Sequence, residues 1–115
     1  MQLNNIVNQK EFEMSYAEVE MKVIQWAEAR KIIPNSTPLA QWKKGMEEMQ
    51  ELKDALDAND VAATSDAVGD VVVCLINLCA LADLDLVQCL RGAYGEIKDR
   101  KGTMNAEGIF VKESK

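Results

Sequence analysis

The sequence predicts an all-α fold, a four-helix bundle that associates with further copies of itself. Apolar residues make up 48% of the chain and aromatic ones only 5%, and just six glycines and two prolines interrupt 115 residues. That balance favours helices over a β-sandwich. Capping residues and prolines also stand where the apolar, helix-period segments begin and end. A single domain of this length buries only about two-thirds of the surface its unfolded chain exposes, so self-association is expected.

The first helix is expected from about Ser15 to Lys31, with Ser15 as N-cap and Val19, Val23, Trp26 and Ala27 as its apolar stripe. Pro34 ends it, and residues 33–38 read as a loop. Thr37 then caps a second helix with Pro38 at its first position, running to about Ala58 before Asn59 and Asp60 break it. A third helix starts at Val61 or Ser65 and reaches Ala82. After the break at Asp83 to Asp85, a fourth runs from Leu86 to Lys101, with Gly102 in the C′ position. Tight connections between long amphipathic helices make neighbours antiparallel. The chain reads as one domain over residues 1–115, with its core at about 16–102 and an irregular or extended tail at 103–115.

Composition excludes several classes. With 19 acidic against 13 basic residues the formal charge is −6, which argues against a nucleic-acid partner. Cys74, Cys79 and Cys89 lie in apolar helical segments without C-x-x-C spacing and read as core thiols in a reducing compartment. Histidine is absent, which removes the commonest general base and the usual zinc ligand and excludes di-iron Glu-x-x-His bundles, so catalysis must run on carboxylates, lysines, water and metal. The first residues carry no basic start with an apolar run, and nowhere do about 20 apolar residues run together. A cytoplasmic protein that makes no membrane contact is therefore expected.

The chemistry is concentrated in two acidic motifs. On the second helix, Leu39, Trp42, Met46, Met49, Leu52 and Leu56 are expected to form the buried face. Gln41, Lys44, Glu48, Glu51 and Ala55 make the stripe beside it, with Glu47 turned further toward solvent. On the third helix, Asp66, Asp70, Val73 and Asn77 share a face at i, i+4, i+7 and i+11, and Asp70 borders a strongly apolar run. Carboxylates brought together at about 4 Å repel by about 4 kcal/mol at an effective dielectric near 20, so a cation is expected between them. Magnesium suits an all-oxygen site completed by substrate phosphates, and manganese fits the same ligands. The competing reading is a solvated acidic helix face paired with Lys44.

Several further residues are candidates for binding a phosphorylated ligand. Lys44 lies one turn before Glu48. Tyr94, Lys98 and Lys101 share a face of the fourth helix, which Arg91 can join, whereas Arg100 points elsewhere on a regular helix. The two tryptophans read first as core residues, with Trp26 the better candidate for lining a ligand pocket. Asn77 either contacts a ligand or bridges two helices.

Glu47-Glu48-Met-Gln-Glu51 followed by Asp66-Ala-Val-Gly-Asp70 resembles the E-E-x-x-E and E-x-x-D signature of MazG-like all-α nucleoside triphosphate pyrophosphohydrolases. The resemblance extends through Ile24-Gln-Trp26-Ala-Glu-Ala-Arg30, Gln41-Trp-Lys-Lys44 and Tyr94-Gly-Glu-Ile-Lys98-Asp-Arg100-Lys101-Gly, over residues 16–112, and is to the short single-domain phage and bacterial type. It implies magnesium-dependent cleavage between the α and β phosphates of a (deoxy)nucleoside triphosphate, in dimers or tetramers. Carried over by position, it implies Glu48, Glu51 and Asp70 as metal ligands and Glu47 as an outer residue or the one orienting the attacking water. The family's fourth acid falls on Ala67 here, and Asp66, on the same face as Asp70, is the expected substitute. Two other readings accompany the enzyme: a nucleotide- or metal-binding regulator with weak or lost turnover, which Ala67 favours, and a structural helical interaction module with solvated acids.

Overall fold

The computed structural model describes residues 13–113 of the chain. The expected absence of a leader at the N-terminus, and the last two residues of the tail, lie outside them. Helices α1 (Tyr16–Ala29), α2 (Ile32–Asn35), α3 (Pro38–Asp57), α4 (Val61–Leu81) and α5 (Leu86–Ile97) are followed by strands β1 (Gly102–Met104) and β2 (Phe110–Lys112). The fold is all-α with one small hairpin. The chain forms two compact units, divided between Leu84 and Asp85.

In the first unit, the helix starts follow from local chemistry. Ser15 and Glu18 form a capping box at α1, each side chain bonding the other's backbone N–H at 3.2 and 2.9 Å. Those bonds, the backbone one above all, hold the Glu18 carboxyl below its ordinary pKa. Thr37 caps α3 by accepting from Ala40 N at 3.0 Å, with Pro38 at the first position, and Asp60 caps α4 through Ala63 N at 3.0 Å. The connections turn through left-handed residues, Asn59 at φ 56° and Asp83 at φ 59°, types that tolerate this region, and through Lys31 at φ 64°. The short α2 is one irregular turn, because Ile33 and Pro34 depart from helical dihedrals; it occupies the expected loop.

Helix α4 is the centre of this unit, packed most extensively on α3 and also against α1 and α2. Its buried residues are Ala67, Cys74, Ile76, Asn77 and Cys79. By length and composition alone α4 is apolar enough to cross a membrane, which the sequence expectation of no such segment did not anticipate. The face that α3 turns to α4 also differs from expectation. Glu48 and Ala55 are buried, while Leu39, Trp42, Met46, Met49 and Leu56 are exposed. Gly45 faces Cys74 of α4, where a Cβ would stand at an ordinary contact distance of 3.6 Å from Cys74 Cβ, and Gln41, Gly45 and Leu52 are half-buried beside Glu48 and Ala55 while the bulky stripe lies outside.

In the second unit, Asp85 caps α5 by accepting from Val87 N at 2.9 Å and Gln88 N at 3.3 Å. The helix ends at Ile97, one turn before the expected end at Lys101. The tail is a hairpin in which Gly102, Thr103 and Met104 pair antiparallel with Lys112, Val111 and Phe110. Glu113 N donates to Lys101 O at 2.9 Å, so the ladder draws Lys101 out of the helix. Gly102 is needed for close strand approach and not for a helix cap: a Cβ there would lie 2.7 Å from the Phe110 ring, 2.9 Å from Lys112 Cα, and closer still to Val111 O.

Candidate active site

A cavity of about 270 Å³ in the first unit gathers Trp26 from α1, Ile32 from α2, Gln41, Lys44 and Glu48 from α3, and Asp70, Val73, Cys74 and Asn77 from α4. Six of the residues singled out from sequence thus converge: Trp26, Gln41, Lys44, Glu48, Asp70 and Asn77. Glu47, Glu51 and Asp66 are exposed and do not line it. Tyr94, Lys98 and Lys101 belong to the second unit, where Lys98 caps α5 and Lys101 precedes β1. Their expected common face therefore holds only for Tyr94 and Lys98. Arg100, turned by the helix end, lines a groove there with Glu96, Asp99, Lys101, Lys112 and Glu113.

Electrostatically, the key residue is Glu48, at 7% exposure. Its Oε1 lies 3.5 Å from Lys44 Nζ, and its Oε2 is buried without a hydrogen-bond partner. Asn77, at 3% exposure, likewise has an unpartnered Oδ1. Two orphaned oxygens on residues lining one cavity are costly unless a donor or cation meets them. Asp70 is exposed, so the cost expected from its apolar neighbours is carried by Glu48 instead.

Lys44 also lies 3.5 Å from Glu47. Attraction to Glu47, then hydrogen bonding to Glu48 and Glu47, raises its pKa above that of an ordinary lysine. Burial pushes the Cys74 thiol up, with a smaller contribution from Glu48, so it stays protonated at the cavity wall. None of the three cysteines is in a disulfide. Cys89 is exposed, not a core thiol. Trp26 and Trp42 are exposed as well, against the expectation of core positions, and Arg30 stacks 5.2 Å from the Trp26 ring centroid.

Among the described residues, no three acidic or cysteine side chains converge as a ready-made metal cage. Two carboxylates and an amide oxygen fit a hard cation that takes its other ligands from water and substrate phosphates, as magnesium does. Ala67, where the sequence resemblance places a fourth acid, is buried, and its methyl group offers no ligand.

No family model and no curated protein matches the chain by sequence. By fold, the chain is similar to a solved structure, the cyanophage S-2L MazG-like pyrophosphohydrolase bound to dGDP and three catalytic Mn2+ ions per active site, at TM-score 0.67 and 20% identity over 90% of this chain and 98% of that one. At that identity the likeness establishes architecture, and the chain has the fold of a MazG-like pyrophosphohydrolase.

Proposed function

We propose that this protein is a divalent-metal-dependent nucleoside triphosphate pyrophosphohydrolase, releasing a (deoxy)nucleoside monophosphate and pyrophosphate in nucleotide-pool housekeeping or phage nucleotide metabolism. The observation that carries the reading is the unpartnered, buried Glu48 oxygen in a cavity shared with Asp70, Asn77 and Lys44. The fold neighbour, which binds dGDP and Mn2+, supports a nucleotide and a divalent metal as ligands.

In this reading Glu48 and Asp70 hold magnesium or manganese, with Glu51 and Asp66 joining through water. Such an ion supplies charge neutralisation on phosphoryl oxygens and acidifies water. Glu47, exposed and next to Glu48, orients the attacking water. Lys44 remains cationic and, with Gln41, draws the phosphates in, while Asn77 Oδ1 accepts from a ligand hydroxyl or N–H. In the second unit, Tyr94, Lys98 and Lys101 are proposed to bind phosphate. Self-association is proposed from the exposed apolar stripe of α3, and a cytoplasmic setting from the reduced cysteines.

The test is pyrophosphate release from a panel of ribo- and deoxyribonucleoside triphosphates with magnesium or manganese, alongside Glu48→Ala and Asp70→Ala variants shown to be folded. Turnover lost in both variants supports the enzyme. The buried Ala67 favours a second reading, a nucleotide-binding regulator, for which no turnover together with nucleotide-dependent thermal stabilisation is the expected result.

A further inference from the structure

A second cavity, of about 330 Å³, lies beside the first and is lined by Val19, Lys22, Val23 and Trp26 of α1 with Asp70 and Val73 of α4. The α1 residues fall at i, i+3, i+4 and i+7, one continuous helix face. The two cavities share Trp26, Asp70 and Val73, so they are two ends of one cleft. One end carries Gln41, Lys44, Glu48 and Asn77; the other is apolar except for Lys22 and the shared Asp70. A cleft divided in this way suits a ligand with a charged head and a flat, weakly polar body.

We propose that the apolar end receives the nucleobase, and that Lys22 selects bases presenting a carbonyl oxygen over bases presenting an amino group at the same place. The inference rests on the preceding reading, in which the polar end holds the phosphates. Val19, Val23 and the Trp26 indole offer a ring apolar and aromatic surface. Hydrogen bonding at this end is then supplied by donors: the ammonium of Lys22 has three N–H groups and no acceptor, and the indole N–H of Trp26 is also donor-only. Asp70, the one acceptor, sits where the cleft turns toward the phosphates. A donor-only edge matches guanine O6 and N7, or uracil O4, and sets N–H against N–H for the amino groups of adenine and cytosine. Lys22 is exposed and lines the cavity, so its ammonium stays hydrated until a base arrives.

The experiment is equilibrium binding of the non-hydrolysable α,β-methylene analogues of dGTP, dATP, dUTP and dCTP, with magnesium, to the intact protein and to Lys22→Met and Lys22→Glu. The expected result is about tenfold tighter binding of the keto base within each pair of equal ring size. Lys22→Met should bring that ratio close to one, and Lys22→Glu, which places an acceptor at the edge, should invert it. Equal binding of keto and amino bases by the intact protein, or a keto preference that Lys22→Met leaves unchanged, overturns the proposal and leaves the pyrophosphohydrolase reading standing. Binding of none of the analogues, with no pyrophosphate released from any triphosphate, overturns both.

Discussion

Glu48 is a carboxylate drawn out of water with one oxygen paired at 3.5 Å and the other unpaired, a state that costs free energy until a cation completes it. Glu48→Gln keeps the shape and removes the charge. It should leave the fold intact, lower turnover more than about 100-fold, and abolish the thermal shift produced by magnesium or manganese. For the unsubstituted protein that shift corresponds to about 2.7 kcal/mol at a metal concentration 100 times Kd. A full metal-induced shift in the variant would remove Glu48 from the site. For Lys44 the pH response follows from its carboxylate neighbours. Its folded pKa is raised, so the pairing with Glu47 and Glu48 is fully present below the unfolded lysine value and is lost only as pH rises through the raised folded one. Between neutrality and about pH 10, kcat/KM should therefore show no falling limb that belongs to Lys44, whereas Lys44→Met should lower kcat/KM across the whole range. A limb in that window that moves in Lys44→Arg would contradict this assignment.

Helix ends account for the next scale. Thr37 satisfies the Ala40 N–H that would otherwise be orphaned at the start of α3, the helix that carries Lys44 and Glu48. Thr37→Ala should cost about 1 kcal/mol in denaturant unfolding, with Thr37→Ser restoring most of it. At the other end of the chain, the hairpin depends on Gly102 having no side chain. Gly102→Ala places a carbon against β2 backbone, so amide exchange at Thr103, Met104 and Val111 should accelerate; undiminished protection would show that the strands have room to separate. Two element starts were legible from sequence because caps act locally: Ser15 and Thr37 stand where the side-chain pattern places them, whereas Asp60, read only as a break, proves to cap α4. The end of α5 was not legible, since pairing with β2 recruits Lys101 and Gly102 from a segment that would otherwise continue the helix.

For the whole molecule, the exposed stripe of Leu39, Trp42, Met46, Met49 and Leu56 is too large and too apolar to be indifferent to association. Sedimentation equilibrium should show a dimer or tetramer, and Trp42→Glu combined with Met46→Glu should give monomers. A monomeric parent protein would remove the case for self-association. Periodicity by itself identified this stripe as something to bury but assigned it to the wrong surface, because an apolar face is equally well covered by its own chain or by another. What the sequence alone determined were the helices, their caps, and the acidic motifs that mark α3 and α4. The choice of Glu48 as the buried acid, the convergence of Trp26, Gln41, Asp70 and Asn77 on it, and the placement of Lys22 beside them were decided only by tertiary structure. The physical reason is close packing: how α3 seats against α4 decides which side chains face the cavity, a quantity that no single helix contains.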